Sequence, residues 1–199
     1  AGILAMSPDG TRLVYAANRQ LYVRSMAEMD ARPIPGTNLD VFAPFFSPDG
    51  QWIGFFSSQD LTLKKIALAG GAALTLCKME VGVAFGGASW DGGQIVFAVP
   101  TKGIMRVSSD GGVPEVIAGV DATSTAFGPQ LIEDGRAVLF TVTKEPGVDR
   151  WDKADIVIQQ VGSTERNVMV HGGSDGRYLP TGHLVYALGA SILAVPFDP

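Results

Sequence analysis

Few residues of this 199-residue sequence could carry out chemistry. A catalytic serine would need a histidine as its base, and the chain has only His171 and His183. The best candidate nucleophile is Ser89. However, the segment Gly87–Asp91 lacks the second glycine of a Gly-x-Ser-x-Gly turn, and Ser89 falls on a predicted strand rather than on a strand-to-helix turn. We therefore predict no catalytic residue and no enzymatic activity.

Four aspartates, each followed by a glycine, recur along the chain and could be imagined as metal ligands. The pairs are Asp9 and Gly10, Asp49 and Gly50, Asp91 and Gly92, and Asp134 and Gly135. A simpler interpretation is that each carboxylate bonds to the backbone of its own turn, while the glycine accepts a positive φ. Neither histidine has a second ligand at the spacing of a zinc site. We therefore predict structural turns, no metal site and no cofactor.

These turns belong to a repeated element. Residues Ser7–Gly10 and Ser47–Gly50 both read Ser-Pro-Asp-Gly between apolar runs, which is typical of a β-hairpin. With Gly182 as a fifth, weaker anchor, the successive glycines are 40, 42, 43 and 47 residues apart. Regular spacing of this length indicates a repeat architecture.

Each anchor is followed by further short segments in which apolar and polar residues alternate, the period of a half-buried strand. Four antiparallel strands in about 40 to 45 residues are the strand count and period of a propeller blade. We therefore predict an all-β propeller of four-stranded antiparallel blades, in a single domain. Its five recognisable repeats lie at about 1–38, 39–79, 80–120, 121–172 and 173–199, the last lacking an outer strand. Because the chain also begins with Ala, we expect a piece of a longer or processed polypeptide.

Composition excludes several classes of function. The formal net charge is −5 and the basic residues are scattered singly, which argues against a nucleic-acid footprint. No apolar run approaches the roughly 18 residues of a membrane-spanning helix. Cys77 is the only cysteine, so no internal disulfide is possible, and we interpret it as a small hydrophobic residue of a strand.

The Ser-Pro-Asp-Gly turns make the sequence resemble the Pro-Asp-type, tryptophan-aspartate-repeat-like β-propellers of TolB. Longer strings are similar to the propeller region that follows the kinase domain in many bacterial serine/threonine protein kinases; they are residues 45–56 with 63–71, and 177–187 with 193–198. The third repeat departs from the pattern, with Trp90 in place of proline, and the fifth has Pro180-Thr181-Gly182. The sequence contains neither the glycine-rich phosphate loop nor the His-Arg-Asp loop of a kinase.

The resemblance implies a sensor or interaction module, which in such kinases is usually placed outside the membrane. We expect a non-catalytic propeller that binds a protein, a peptide or a small ligand at its channel mouth, in the periplasmic or extracellular part of a bacterial membrane protein. An alternative is the accessory propeller of a serine hydrolase or peptidase, gating access to a catalytic domain. A third hypothesis is self-association through open blade edges.

One insertion departs from the strand pattern. Residues 144–153, between the second and third strands of the fourth repeat, are charged and contain Trp151 flanked by Arg150 and Asp152. A tryptophan on a charged loop has the composition of an interface anchor, and we predict these three residues as a candidate interface. The alternative is that Trp151 folds back on its own blade.

Overall fold

The structure, a computed structural model, describes residues 4–199 as a series of antiparallel sheets, each a meander of consecutive strands. The first sheet has the strands β1 (Leu4–Met6), β2 (Arg12–Ala17), β3 (Gln20–Ser25) and β4 (Ala31–Pro33). The second has β5 (Val41–Phe46), β6 (Trp52–Ser57), β7 (Thr62–Ala67) and β8 (Leu74–Lys78). The opening residues 1–3 of the predicted first repeat lie outside the described residues.

The later sheets follow the same order. The third has β9 (Ala88–Asp91), β10 (Gln94–Val99), β11 (Gly103–Ser108) and β12 (Glu115–Gly119). The fourth has β13 (Thr125–Ile132), β14 (Ala137–Thr143), β15 (Asp155–Gln160) and β16 (Arg166–His171). The fifth has three strands, β17 (Ser174–Leu179), β18 (His183–Leu188) and β19 (Ser191–Pro196).

The predicted fold class is confirmed. Each sheet is one propeller blade, the first four blades have four strands, and the fifth is incomplete. Helical structure in residues 4–199 is limited to two short 3-10 turns, Glu133–Gly135 and Val148–Trp151. Among the same residues, no helix has the length and apolar character needed to cross a membrane.

The chain divides into two compact units. The first comprises residues 4–83, 90–95 and 107–114, and the second comprises residues 84–89, 96–106 and 115–199. In the first unit, one face of blade 1 packs on blade 2 through an apolar core. Its fully buried members are Val14, Leu21, Ile53, Phe55 and Ile66.

The second unit contains two cores of the same kind. The first joins residues of blade 3 to one face of blade 4, with Val96, Ala98, Ile104, Val138 and Phe140 fully buried. The second joins the other face of blade 4 to blade 5, around Leu139, Ile156 and Leu184. Alternate residues of β14 serve the two cores, because successive side chains of a strand point to opposite faces. Burial between neighbouring blades therefore holds the blades of this unit together.

Blade 2 needs a glycine in its second strand. The ring of Phe45 lies over Gly54, its cross-strand partner, so that a Cβ at Gly54 would stand 2.1 Å from the nearest ring carbon. The absence of a side chain at Gly54 lets Phe45 lie flat on the sheet, where it is 7% exposed.

Candidate functional site

The predicted interface residues lie on the long connection between β14 and β15. Within it, Val148–Trp151 form a 3-10 turn, which begins after Gly147 at a φ of 105°. The turn is continued by a backbone hydrogen bond from Asp152 to the carbonyl of Asp149, at 3.1 Å. Arg150 and Trp151 are therefore presented by a short helical turn rather than by an extended loop.

Hydrogen bonds hold the connection on both sides of this turn. Before the turn, Thr143 Oγ1 accepts a hydrogen bond from Glu145 N at 3.1 Å. At its end, Asp152 Oδ1 accepts one from the backbone N–H of Gly189, in the hairpin between β18 and β19, at 2.8 Å. The carboxylate of Asp152 thus ties the insertion of blade 4 to the last hairpin of blade 5.

An exposed ion pair spans the turn. Lys153 Nζ lies 2.7 Å from Asp149 Oδ2, and both side chains are more than half exposed. The hydrogen bond and charge of Lys153 lower the pKa of Asp149, and the same carboxylate raises the pKa of Lys153. Because the pair is exposed, we expect it to contribute little to stability.

Trp151 packs against an aromatic side chain of the first strand of its own blade. Its ring meets that of Phe127 edge to face, with 4.8 Å between the centroids and an angle of 79° between the planes. The guanidinium carbon of Arg150 lies 4.4 Å from the Trp151 centroid and 5.5 Å from that of Phe127. We refer to Phe127, Arg150 and Trp151 as the Trp151 cluster. All three are half-buried, so Trp151 folds back on its blade and still presents a surface.

Arg150 contributes a buried polar atom to the Trp151 cluster. Within the part of the chain that the structure describes, Arg150 Nε is buried and has no hydrogen-bond partner. The guanidinium is instead held by the two aromatic rings, in an arrangement that provides cation–π attraction. Because the head group is stacked and partly desolvated, an incoming acceptor would find it already oriented.

A bulge in β13 lies directly beside the Trp151 cluster. The register of β13 against β14 shifts between Phe127 and Gln130, where Gly128 has a φ of 55°. Arg177 Nη1 donates to the carbonyl of Gly128 at 2.8 Å, while its Nη2 pairs with Asp175 Oδ1 at 2.7 Å. Arg177, on the first strand of blade 5, thus holds a second guanidinium next to Phe127.

A side-chain amide joins the first strands of blades 4 and 5. Gln130 Nε2 donates to the carbonyl of Tyr178 at 3.0 Å, and the N–H of Tyr178 donates to Gln130 Oε1 at 2.8 Å. The amide group therefore satisfies one donor and one acceptor of β17, as a neighbouring strand would. We refer to this pair of bonds as the Gln130 clamp.

The predicted turn residues do not all form turns of the same kind. In blades 1 and 2, the Oδ1 atoms of Asp9 and Asp49 accept hydrogen bonds from Ser7 Oγ and Ser47 Oγ. The same oxygens accept the backbone N–H two residues ahead, each at 3.0 Å. The bond from Ser7, followed by those from Thr11, lowers the pKa of Asp9 to about 2. The bonds from Ser47 and Gln51 lower the pKa of Asp49.

The other three turns lack this serine–aspartate pair of side chains. In blade 3, Trp90 Nε1 donates to the carbonyl of Gly92 at 3.0 Å. In blade 4, Asp134 itself has a φ of 54° and belongs to the 3-10 turn that ends at Gly135. In blade 5, the N–H of Gly182 donates to the carbonyl of Leu179 at 3.0 Å. Asp91 is the exposed last residue of β9.

The residues considered for catalysis do not form a catalytic arrangement. Ser89 lies on β9, and its Oγ is buried without a hydrogen-bond partner among residues 4–199. His171 Nδ1 lies 2.9 Å from Asp155 Oδ1, its cross-strand neighbour, and His183 Nδ1 lies 3.0 Å from the carbonyl of Thr181. The described residues contain no group of three or more histidine, cysteine, aspartate or glutamate side chains that could hold a metal ion.

Cys77 is placed as a packing residue. It lies on β8 and is 5% exposed, and burial raises the pKa of its thiol to about 11. The thiolate that would react is therefore scarce at neutral pH.

Sequence reasoning missed three residues of the site. Phe127 was not assigned as a partner of Trp151, and neither Gln130 nor Arg177 was singled out. For Phe127 the sequence does contain a usable signal, because Phe127-Gly128-Pro129 in blade 4 repeats Phe42-Ala43-Pro44 in blade 2. Both tripeptides lie at a register shift of the first strand, and Ala43 and Gly128 both have positive φ.

Comparison with known proteins supports the fold and identifies no family. No family model matches the sequence, and no curated protein matches it. Among solved structures, TolB from Acinetobacter baumannii is 18% identical and superposes with a TM-score of 0.72; the match covers 98% of this chain and 51% of that chain. The present chain thus spans about half the length of that protein.

Two further structures show how widely the fold is used. The structure of putative TolB from Agrobacterium tumefaciens is 18% identical over 94% of this chain and 70% of that chain, with a TM-score of 0.70. An oligogalacturonate lyase solved in complex with manganese is 11% identical over 92% of this chain and 57% of that chain, with a TM-score of 0.64. Since this fold serves an enzyme as well as TolB, function has to be argued from the site.

Proposed function

We propose that this chain is a non-catalytic binding module and that a protein or peptide ligand docks on the Trp151 cluster. The observation that carries the proposal is the geometry of that cluster. Trp151 and Arg150, on a 3-10 turn, pack against each other and against Phe127 of β13, all three half-buried, and Asp152 is hydrogen bonded at the end of the turn. Tryptophan and arginine are the residue types enriched among interface hot spots.

Pre-organisation makes the Trp151 cluster suited to binding. A flexible loop would lose conformational entropy when a ligand immobilised it, and that loss would reduce affinity. Here the ring of Trp151 is already held by Phe127, and Asp152 already holds the end of the turn. Little ordering is left for the ligand to impose.

The finer part of the proposal concerns the parent protein. We place the module in the periplasmic or extracellular sensor region of a bacterial serine/threonine protein kinase, on the resemblance to such regions of residues 45–56 with 63–71 and of residues 177–187 with 193–198. The neighbouring coding sequence provides the test. A kinase domain and a membrane-spanning helix encoded upstream would support this placement, whereas a Gly-x-Ser-x-Gly hydrolase domain encoded downstream would contradict it.

Binding at the Trp151 cluster is tested with a phage-displayed library of random dodecapeptides. The library is panned on the immobilised chain after depletion on the Trp151→Ala variant, and the enriched peptides are titrated by calorimetry. For a hot-spot residue, we expect Trp151→Ala to weaken Kd by at least about tenfold. Arg150→Lys should also weaken it, because lysine keeps the charge but loses the planar group that stacks.

The matched control is Val113→Ala, which truncates a 93% exposed apolar residue outside the cluster. This variant should bind the selected peptides with wild-type affinity. Failure to enrich any peptide that depends on Trp151, or equal affinity for wild type and Trp151→Ala, would overturn the proposed binding site.

A further inference from the structure

The guanidinium of Arg150 has no negatively charged partner. Its central carbon lies 4.4 Å from the ring centroid of Trp151 and 5.5 Å from that of Phe127. Within residues 4–199, no aspartate or glutamate pairs with it, and its buried Nε has no hydrogen-bond partner. The faces of the two rings attract the cation, but they are not the oxygen acceptors that its N–H groups require. The half-buried head group therefore keeps unused capacity to donate.

The acidic side chains that flank Arg150 in its own turn are engaged elsewhere. Asp149 pairs with Lys153 at 2.7 Å, and Asp152 accepts the backbone N–H of Gly189 at 2.8 Å. Neither carboxylate forms an ion pair with the guanidinium. The positive charge of Arg150 is therefore not neutralised from within the 3-10 turn.

The other guanidinium next to Phe127 provides a contrast. Arg177 Nη2 pairs with Asp175 Oδ1 at 2.7 Å, and its Nη1 donates to the carbonyl of Gly128 at 2.8 Å. Arg177 thus has both a counter-charge and a carbonyl acceptor inside the fold, whereas Arg150 has neither. Of these two arginines, Arg150 is the one left to take a carboxylate from a ligand.

We infer that the peptide bound by the Trp151 cluster is acidic, and that an aspartate or glutamate side chain of this peptide pairs with the guanidinium of Arg150. The inference rests on the proposed function and adds the charge of the ligand to it. A carboxylate can accept two N–H groups of one guanidinium, and such charge-assisted bonds are stronger than neutral ones. Because the two rings already hold the guanidinium, little side-chain entropy remains to be lost when the carboxylate binds.

The charge of the whole chain makes this preference diagnostic. At a formal net charge of −5, the protein as a whole repels acidic peptides. Selection of acidic peptides would therefore come from a local cation and not from the overall field. The partial burial of Arg150 strengthens its local attraction, because charges interact more strongly where less water surrounds them.

Two displayed dodecapeptide libraries test the inference. One encodes all residue types, and the other has asparagine and glutamine in place of aspartate and glutamate. Both are panned on the immobilised chain after depletion on Trp151→Ala. We expect the first library to yield peptides that depend on Trp151 and share an acidic residue at one position. The second should yield none, or only peptides at least about tenfold weaker.

A selected acidic peptide is then compared with a copy in which the shared acidic residue is replaced by its amide. Both are synthesised with an amidated C-terminus, so that the side chain is the source of the carboxylate. On the wild-type chain, the replacement should weaken Kd by at least about tenfold. On Arg150→Gln, the two peptides should bind equally, because the guanidinium that distinguishes them is gone.

The matched control is Arg32→Gln, which removes the same charge at an exposed position of β4 and should keep the wild-type preference for the acidic peptide. Circular dichroism and a thermal melt establish that each variant is folded. The comparison of the two peptides on the wild-type chain requires no substitution, so it remains decisive if a variant fails to fold.

The possible failures of the two proposals differ. A variant that only disturbed the stacking would weaken both peptides by the same factor and leave their affinity ratio unchanged. That result for Arg150→Gln, or neutral peptides that bind as tightly as acidic ones through Trp151, would overturn the inference and leave the proposed binding site intact. If neither library yields a peptide that depends on Trp151, the proposed site is overturned and the inference with it.

Discussion

At the residue scale, the Asp9 and Asp49 carboxylates make the stability of the folded chain depend on pH. Each accepts a serine hydroxyl and a backbone N–H in the folded state, and these bonds lower its pKa. A carboxylate whose folded pKa is depressed stabilises the folded state above its unfolded pKa, and this contribution is lost as pH falls through the folded pKa. For Asp9 the window runs from about pH 4 to about pH 2.

We predict that the double variant Asp9→Asn, Asp49→Asn loses part of this pH dependence. In the wild type, the free energy of unfolding should fall as pH is lowered through the window, and in the double variant the fall should be smaller. Urea unfolding at several pH values measures both slopes. Ser7→Ala with Ser47→Ala keeps the carboxylates and removes the strongest bonds, so it should flatten the slope as well. If neither double variant changes the slope, the pH dependence of stability does not come from these turns.

At the element scale, the Gln130 clamp holds β17 against β13 of the neighbouring blade through a side chain. Removing the amide by Gln130→Ala leaves the N–H and the carbonyl of Tyr178 without their partner. We predict a loss of about 1–3 kcal/mol in the free energy of unfolding, the cost of leaving such groups unsatisfied. The amide of Tyr178 should also exchange its hydrogen faster.

The control for this prediction is Gln51→Ala, which shortens an exposed glutamine in the blade 2 turn. It should change the free energy of unfolding by no more than about 0.5 kcal/mol. Hydrogen exchange of Tyr178 that is equal in Gln130→Ala and in the wild type would mean that β17 is held by its other contacts.

The elements differ in how far the sequence predicts them. The Ser-Pro-Asp-Gly turns were predictable because proline, aspartate and glycine act within four residues. The packing of Trp151 on Phe127 was not, because the two residues are 24 positions apart and meet only after β13 and β14 have paired. Arg150 was predicted as an interface residue, and its stacking on both rings depends on that same pairing. The Gln130 clamp spans 48 positions and has no periodic signal in the sequence.

At the scale of the whole molecule, the formal net charge of −5 makes copies of this chain repel each other. Raising the salt concentration screens this repulsion.

The buried state of Cys77 also determines how this protein can be observed. Because its only thiol is 5% exposed, with a pKa of about 11, a maleimide dye applied at neutral pH should spare it in the folded chain. A cysteine introduced beside the Trp151 cluster could then be labelled selectively, without first removing the natural one. Cys77 itself becomes labelled only when blade 2 opens, so the native sequence already contains a reporter of local unfolding.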